Sequence, residues 1–288
     1  MDDIKLVSSL HEKPTFLPPY QIRHSVTQIS LILFALFFLN GVVLLTVRSF
    51  QWCHGPKKTH KNIATDEHKL AYRVVSIIMN GLLGVTGIYH FLRLPEETTI
   101  AERITGFEEL SILAYLQIAY QLWAIPMGVF FVPEPKEMLY HHIGVMVVGS
   151  LSAFFTNGFR YHDPFFFGLI ESSSVPLVVM NMLRDSPKTA TKHPVANALV
   201  GLSFALSFIV TRVFMWMPQA FDFIRLAAMM SYTCAGYLGK IGLVFSIVVC
   251  FFLTALQLFW AGKIIRGVLA VVVASDGDSD GKKAKKVN

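Results

Sequence analysis

His141 to Pro176 reads HHIGVMVVGSLSAFFTNGFRYHDPFFFGLIESSSVP. Two apolar segments flank the short polar turn Arg160-Tyr161-His162-Asp163-Pro164. A histidine pair, His141 and His142, opens the first segment, and a carboxylate, Glu171, sits inside the second. In water this pattern is a buried helical hairpin. In lipid it is two membrane passes that carry ionisable groups into a medium where such groups are costly and need partners.

The rest of the chain decides between the two solvents. Its 288 residues are 53% hydrophobic and only 15% charged, where soluble domains carry roughly 25% charge, and the mean hydropathy is +0.52. Apolar runs follow one another at about Gln28–Val47, Tyr72–Leu92, Leu110–Phe131, Leu139–Phe159, Phe165–Leu183, Asn197–Met217 and Ile241–Gly262. Each is close to the ~20 residues that carry a helix across a ~30 Å hydrocarbon core. Helices are required because lipid offers no partner to free backbone groups, and the short alternating segments of a barrel are absent. The expected fold is therefore an all-α integral membrane protein, a bundle of about seven transmembrane helices. The first run has no small-residue cleavage site after it and reads as a retained span.

The net charge of +6 does not imply nucleic acid, because the basic residues lie in the links between apolar runs and not on one soluble face. Arg48, Lys57, Lys58, Lys61 and Lys69 fall in one link, Arg184, Lys188 and Lys192 in another, and Lys282, Lys283, Lys285 and Lys286 in the tail. This bias predicts a cytosolic C-terminus and a lumenal N-terminus. It divides the chain into a polar arm (1–27), the first span with its basic link (28–70), the helical bundle (71–266) and a basic tail (267–288). Phe223–Tyr237 reads either as an interfacial helix or as a short eighth span. Lys285 and Lys286, third and fourth from the end, resemble a dilysine retrieval signal, which predicts the endoplasmic reticulum membrane and a coat-machinery partner. Cys53, Cys234 and Cys250 are far apart in sequence, so neither a disulfide framework nor a cysteine metal site is expected.

Depth along the spans sorts the polar groups at ~1.5 Å per residue. His141 and His142 lie within a turn of the cytosolic face, beside Gln257 and Trp260 of the last span. Asn157 and Arg160 stand about 24 Å further along, at the lumenal end. Glu171, Arg212 and Gln117 fall in a layer near that end. An intramembrane charge usually pairs with another, so Glu171 and Arg212 are expected to meet, either as an ion pair fixing two spans or as a grip on a lipid headgroup. The spacing thus predicts two polar layers. Adjacent histidines point ~100° apart on a helix, which argues against one shared metal ion. They read as an interfacial polar pair or as a nucleophile or general base, and no metal or cofactor is implied.

The ordered set His141-His142, Asn157, Arg160, Gly168, Glu171-Ser172-Ser173 and Pro176 resembles the core of TLC-domain proteins, which include Lag-type ceramide synthases, TRAM translocation proteins and the CLN cargo-receptor type. The segments NALVGLSFALSFIVTRVFMWMP (197–218) and LQLFW (256–260) resemble further spans of that family. The synthases carry acidic residues between the histidine pair and the glutamate. This chain has none inside a span, and Ala124 stands at an acidic position after Tyr120-Gln121-Leu122-Trp123. The resemblance is closest to the non-synthase TLC-domain-containing branch. It implies a role in membrane lipid homeostasis through binding of lipids or acyl chains between spans. Its alternatives are an acyl-CoA-dependent N-acyltransferase using His141 or His142, and a cargo receptor of the early secretory pathway.

Overall fold

The computed structural model describes residues 16–54, 63–155, 158–185, 187–233 and 237–284. Apart from one isolated bridge between Phe16 and Phe155, all regular structure among them is helical. The main elements are α1 (Pro19–His54), α2 (Ile63–Phe91), α3 (Ile100–Thr105), α4 (Ser111–Phe130) and α5 (Lys136–Phe154). A π turn (Pro164–Gly168) and a 3-10 turn (Leu169–Ser173) then lead into α6 (Ser174–Asp185). There follow α7 (Pro187–Lys192), α8 (Pro194–Ile209), a second π turn (Val210–Phe214), α9 (Trp216–Thr233) and α10 (Tyr237–Ala284). Helix begins at Pro19, so the polar arm expected up to Thr27 is already helical there.

Six of these runs are long and apolar enough to cross a membrane: Pro19–Phe50, Glu67–Phe91, Ile100–Phe130, Pro164–Asp185, Pro194–Tyr232 and Gly239–Ala270. The chain is thus a multi-pass, all-α membrane protein. The helix that carries the histidine pair, α5, is not among the six. Lys136, Glu137, His141 and His142 make it too polar to face lipid alone. It runs antiparallel between α4 and α10, with Gly149 against Ile118 and Gly144 against Leu253, and its neighbours shelter it.

Two departures from the sequence reading reshape the bundle. First, the fourth pass ends at Phe154, not Phe159, and the following turn folds back against the helix. Gly158 lies so close to α5 that a Cβ there would stand 2.8 Å from the Ser152 Cα and 2.9 Å from the Leu151 carbonyl oxygen. Phe159 adopts the left-handed conformation (φ 57°), its N–H donates to the Ile104 carbonyl at 2.8 Å, and its ring is buried against Phe223. The Ser152 hydroxyl donates to Asp163, which sets that residue level with Ser152. Second, Phe223–Thr233 is no separate element but the continuation of the sixth run, Pro194–Tyr232. Within the described residues, α8, the second π turn and α9 run end to end, and α10 packs antiparallel along them. The Trp216 indole donates to Thr254 at 2.9 Å, and Phe208 clusters with Ala261 further down.

Asp222, partway along α9, gathers titratable groups from α3, α9 and the re-entrant turn. It accepts from Arg103 at 3.2 Å and from Arg225 at 3.4 Å and lies 3.8 Å from His162 Nε2. Burial pushes the His162 imidazole down to about 4 from 6.5, with Asp222 and Gln219 opposing the shift and Arg103 adding to it. A folded-state pKa below the unfolded one means that the unfolded chain binds the extra proton. His162 therefore contributes stability that is present in full above about pH 6.5 and is lost as pH falls toward 4. Thermal melts of the full chain in detergent are expected to show this acid limb, and His162→Gln is expected to flatten it.

Candidate functional site

The site is assembled by the two irregular turns. Because the re-entrant turn returns Asp163 to the level of Ser152, Glu171, about two helical turns later, lies near the level of Gly144 on α5. That is within one turn of His142. Arg212 belongs to the second π turn, where the Met215 N–H reaches back to Val210 at 3.0 Å. Pro218 cannot supply an N–H to the preceding turn, and the bulge lies just before it. Single-turn π bulges recur at functional sites, and here one precedes Glu171 and the other contains Arg212.

Glu171 and Arg212 form a buried ion pair, Nη2 to Oε2 at 3.0 Å. The Arg212 Nε donates to Ser173 Oγ at 2.9 Å and its Nη2 to Ser174 Oγ at 2.8 Å. Ser174 Oγ donates to Glu171 Oε2 at 2.6 Å, and Gln117 Nε2 donates to Glu171 Oε1 at 3.0 Å. Both charges are thus hydrogen-bonded as well as paired, the condition under which a buried ion pair offsets its desolvation.

The histidines stand within about one helical turn of the level of Glu171, nearer the ion pair than the two separate layers expected from the sequence. His141 lies within electrostatic reach of the Arg212 guanidinium and His142 within reach of the Glu171 carboxylate. All four are buried, at 6%, 7%, 5% and 4% exposure for His141, His142, Glu171 and Arg212. His141 meets the Trp260 ring at 5.4 Å, and His142 meets Tyr120 edge-on at 6.3 Å. The Nδ1 atoms of both imidazoles have no hydrogen-bond partner, and among the described residues no carboxylate bonds either ring.

Other anticipated residues stand elsewhere. Arg160 donates from Nη2 to the Phe155 carbonyl at 2.7 Å and braces the re-entrant turn, away from the ion pair. Asn157, Lys285 and Lys286 lie outside the described residues. Among the described residues no group of His, Cys, Asp and Glu is placed to hold a metal ion. Sequence reading missed Ser173 and Ser174 as ligands of the ion pair and gave Gln257 a depth without a role. The signal was present in both cases, as polar residues within apolar runs.

A narrow apolar crevice starts at His141 and runs between α5, the first π turn, α9 and α10. It is lined by Val145, Val148, Phe166, Trp216 and Phe223 among others, with about 30 Å³ open. On α5 its lining runs from His141 to Val148, about 10 Å at 1.5 Å per residue.

No curated protein matches the chain in sequence comparison. A family model, the TLC domain of the TRAM, LAG1 and CLN8 type, matches residues 69–266. That span runs from within α2 to within α10 and takes in both π turns and every residue of the buried cluster, and the chain belongs to the TLC-domain family.

Proposed function

We propose that this protein acts in membrane lipid homeostasis in the endoplasmic reticulum membrane by binding an acyl lipid between its spans. The observation that supports this reading is the junction at His141, which belongs both to a sealed polar cluster and to an apolar crevice. A lipid has the matching form, a polar head joined to a hydrocarbon chain. With about 30 Å³ open, the crevice admits a chain only by displacing side chains that line it. The residence is argued from the cytosolic charge bias and the dilysine resemblance of Lys285 and Lys286, which would engage coat machinery. The test is lipid profiling of cells that lack the protein, carry the wild type, or carry the His141→Ala/His142→Ala double variant at equal abundance. The double variant is expected to leave the profile of cells without the protein. A wild-type profile would reject the reading.

The acyl-CoA-dependent N-acyltransferase is favoured by one observation, the inward-facing imidazoles with free Nδ1 atoms. Against it stands the lack of a carboxylate to orient them, since Glu171 is engaged by Arg212, Ser174 and Gln117. Purified protein given palmitoyl-CoA and a long-chain amine decides between the two. N-acyl product above the level of the double variant would establish catalysis.

A further inference from the structure

Gln257 is fully buried, yet neither its amide nitrogen nor its carbonyl oxygen has a hydrogen-bond partner. An orphan amide in a bundle interior is costly and calls for an explanation. Its position supplies one. Val249 and Leu253 of α10 press on Gly144, and Trp260 meets His141. Gln257 lies on that same α5-facing stripe, one turn beyond Leu253 and one turn before Trp260, and so stands opposite the histidine pair. Leu253 and His141 both line the crevice. A donor and an acceptor on Gln257 and the unpartnered Nδ1 of His141 therefore lie beside the end of the crevice that His141 lines.

The charge in this cluster is balanced internally. Arg212 is held by Glu171, Ser173 and Ser174, and both oxygens of Glu171 are occupied. An anionic head would enter a low-dielectric site and compete for a cation that is already paired. An uncharged head with hydroxyl or amide groups would satisfy what is vacant. Resting on the proposed acyl-lipid reading, we infer that Gln257 is the head-recognition residue and that the ligand is a single-chain acyl lipid with an uncharged, hydrogen-bonding head.

The experiment measures binding of tritiated monopalmitoylglycerol to the full chain in detergent, with palmitoyl lysophosphatidate and hexadecane as competitors. Unlabelled monopalmitoylglycerol is expected to compete at least tenfold better than either. Gln257→Leu is expected to weaken binding about tenfold or more, the weight of one or two hydrogen bonds, while leaving the unfolding midpoint unchanged or higher, because it removes a buried unpaired amide. That split separates a binding role from a structural one. Overturning results are equal or better competition by lysophosphatidate, undiminished binding by Gln257→Leu, or a lowered midpoint in that variant. Failure of the wild type to bind monopalmitoylglycerol, lysophosphatidate and hexadecane alike would instead remove the acyl-lipid reading itself.

Discussion

Arg212→Met is expected to destabilise the protein by about 3–5 kcal/mol, the cost of leaving a buried charge without its partner. Glu171 would then sit in the bundle interior with only Gln117 and Ser174 as hydrogen-bond donors. Glu171→Gln alone strands Arg212 in the same way. The double variant Glu171→Gln/Arg212→Met removes both charges, and most of the loss is expected to be recovered, because neither desolvation penalty then goes uncompensated. Thermal unfolding of the full chain in detergent for the wild type, both single variants and the double variant gives the coupling directly. Additive losses would show that the pair does not act as a unit and that the convergence of the two π turns has another cause.

The second large effect comes from backbone contact. Gly87 on α2 and Gly168 at the end of the first π turn touch so closely that a Cβ on Gly87 would stand 2.3 Å from the Gly168 Cα. A Cβ on Gly168 would meet the Gly87 Cα at the same distance. No side chain can swing aside there, so the helices themselves must separate. In a membrane, helix association depends on this kind of close approach, since lipid is as apolar as the neighbouring helix. Overpacking costs about 1–3 kcal/mol where side chains can adjust, and Gly168→Ala is expected at or above the top of that range. The same substitution would shift the turn that carries Glu171, so weaker lipid binding should accompany the lower unfolding midpoint. Gly41→Ala, which meets nothing within 4 Å, is the control: it should leave binding unchanged and the midpoint equal or slightly higher, since alanine favours helix over glycine. A Gly168→Ala protein as stable as the wild type would refute the contact.

Much of this architecture is legible in the sequence. Low charge, apolar runs near 20 residues and basic links are local or compositional properties, and lipid allows few folds to such a chain. The ordered residues from His141 to Trp260 carry the family resemblance, and the family model, at residues 69–266, includes that stretch. Counting residues along straight helices fails at particular places. It carries α5 five residues too far, because it reads through Thr156-Asn157-Gly158, although the Asn-Gly pair is a turn signal. It also stops the sixth span at Met217, although the helix continues past Pro218 after a bulge that relieves the missing N–H.

The sequence by itself determined the solvent, the helical class and the residue types that must find partners inside. Only the tertiary structure decided that they find them together. Depth along one helix is a local quantity, but the relative depth of two helices depends on the link between them. Here Gly158 lets the link lie against α5, Ser152 holds Asp163 level with itself, and two π turns then present Glu171 and Arg212 to each other beside His141 and His142.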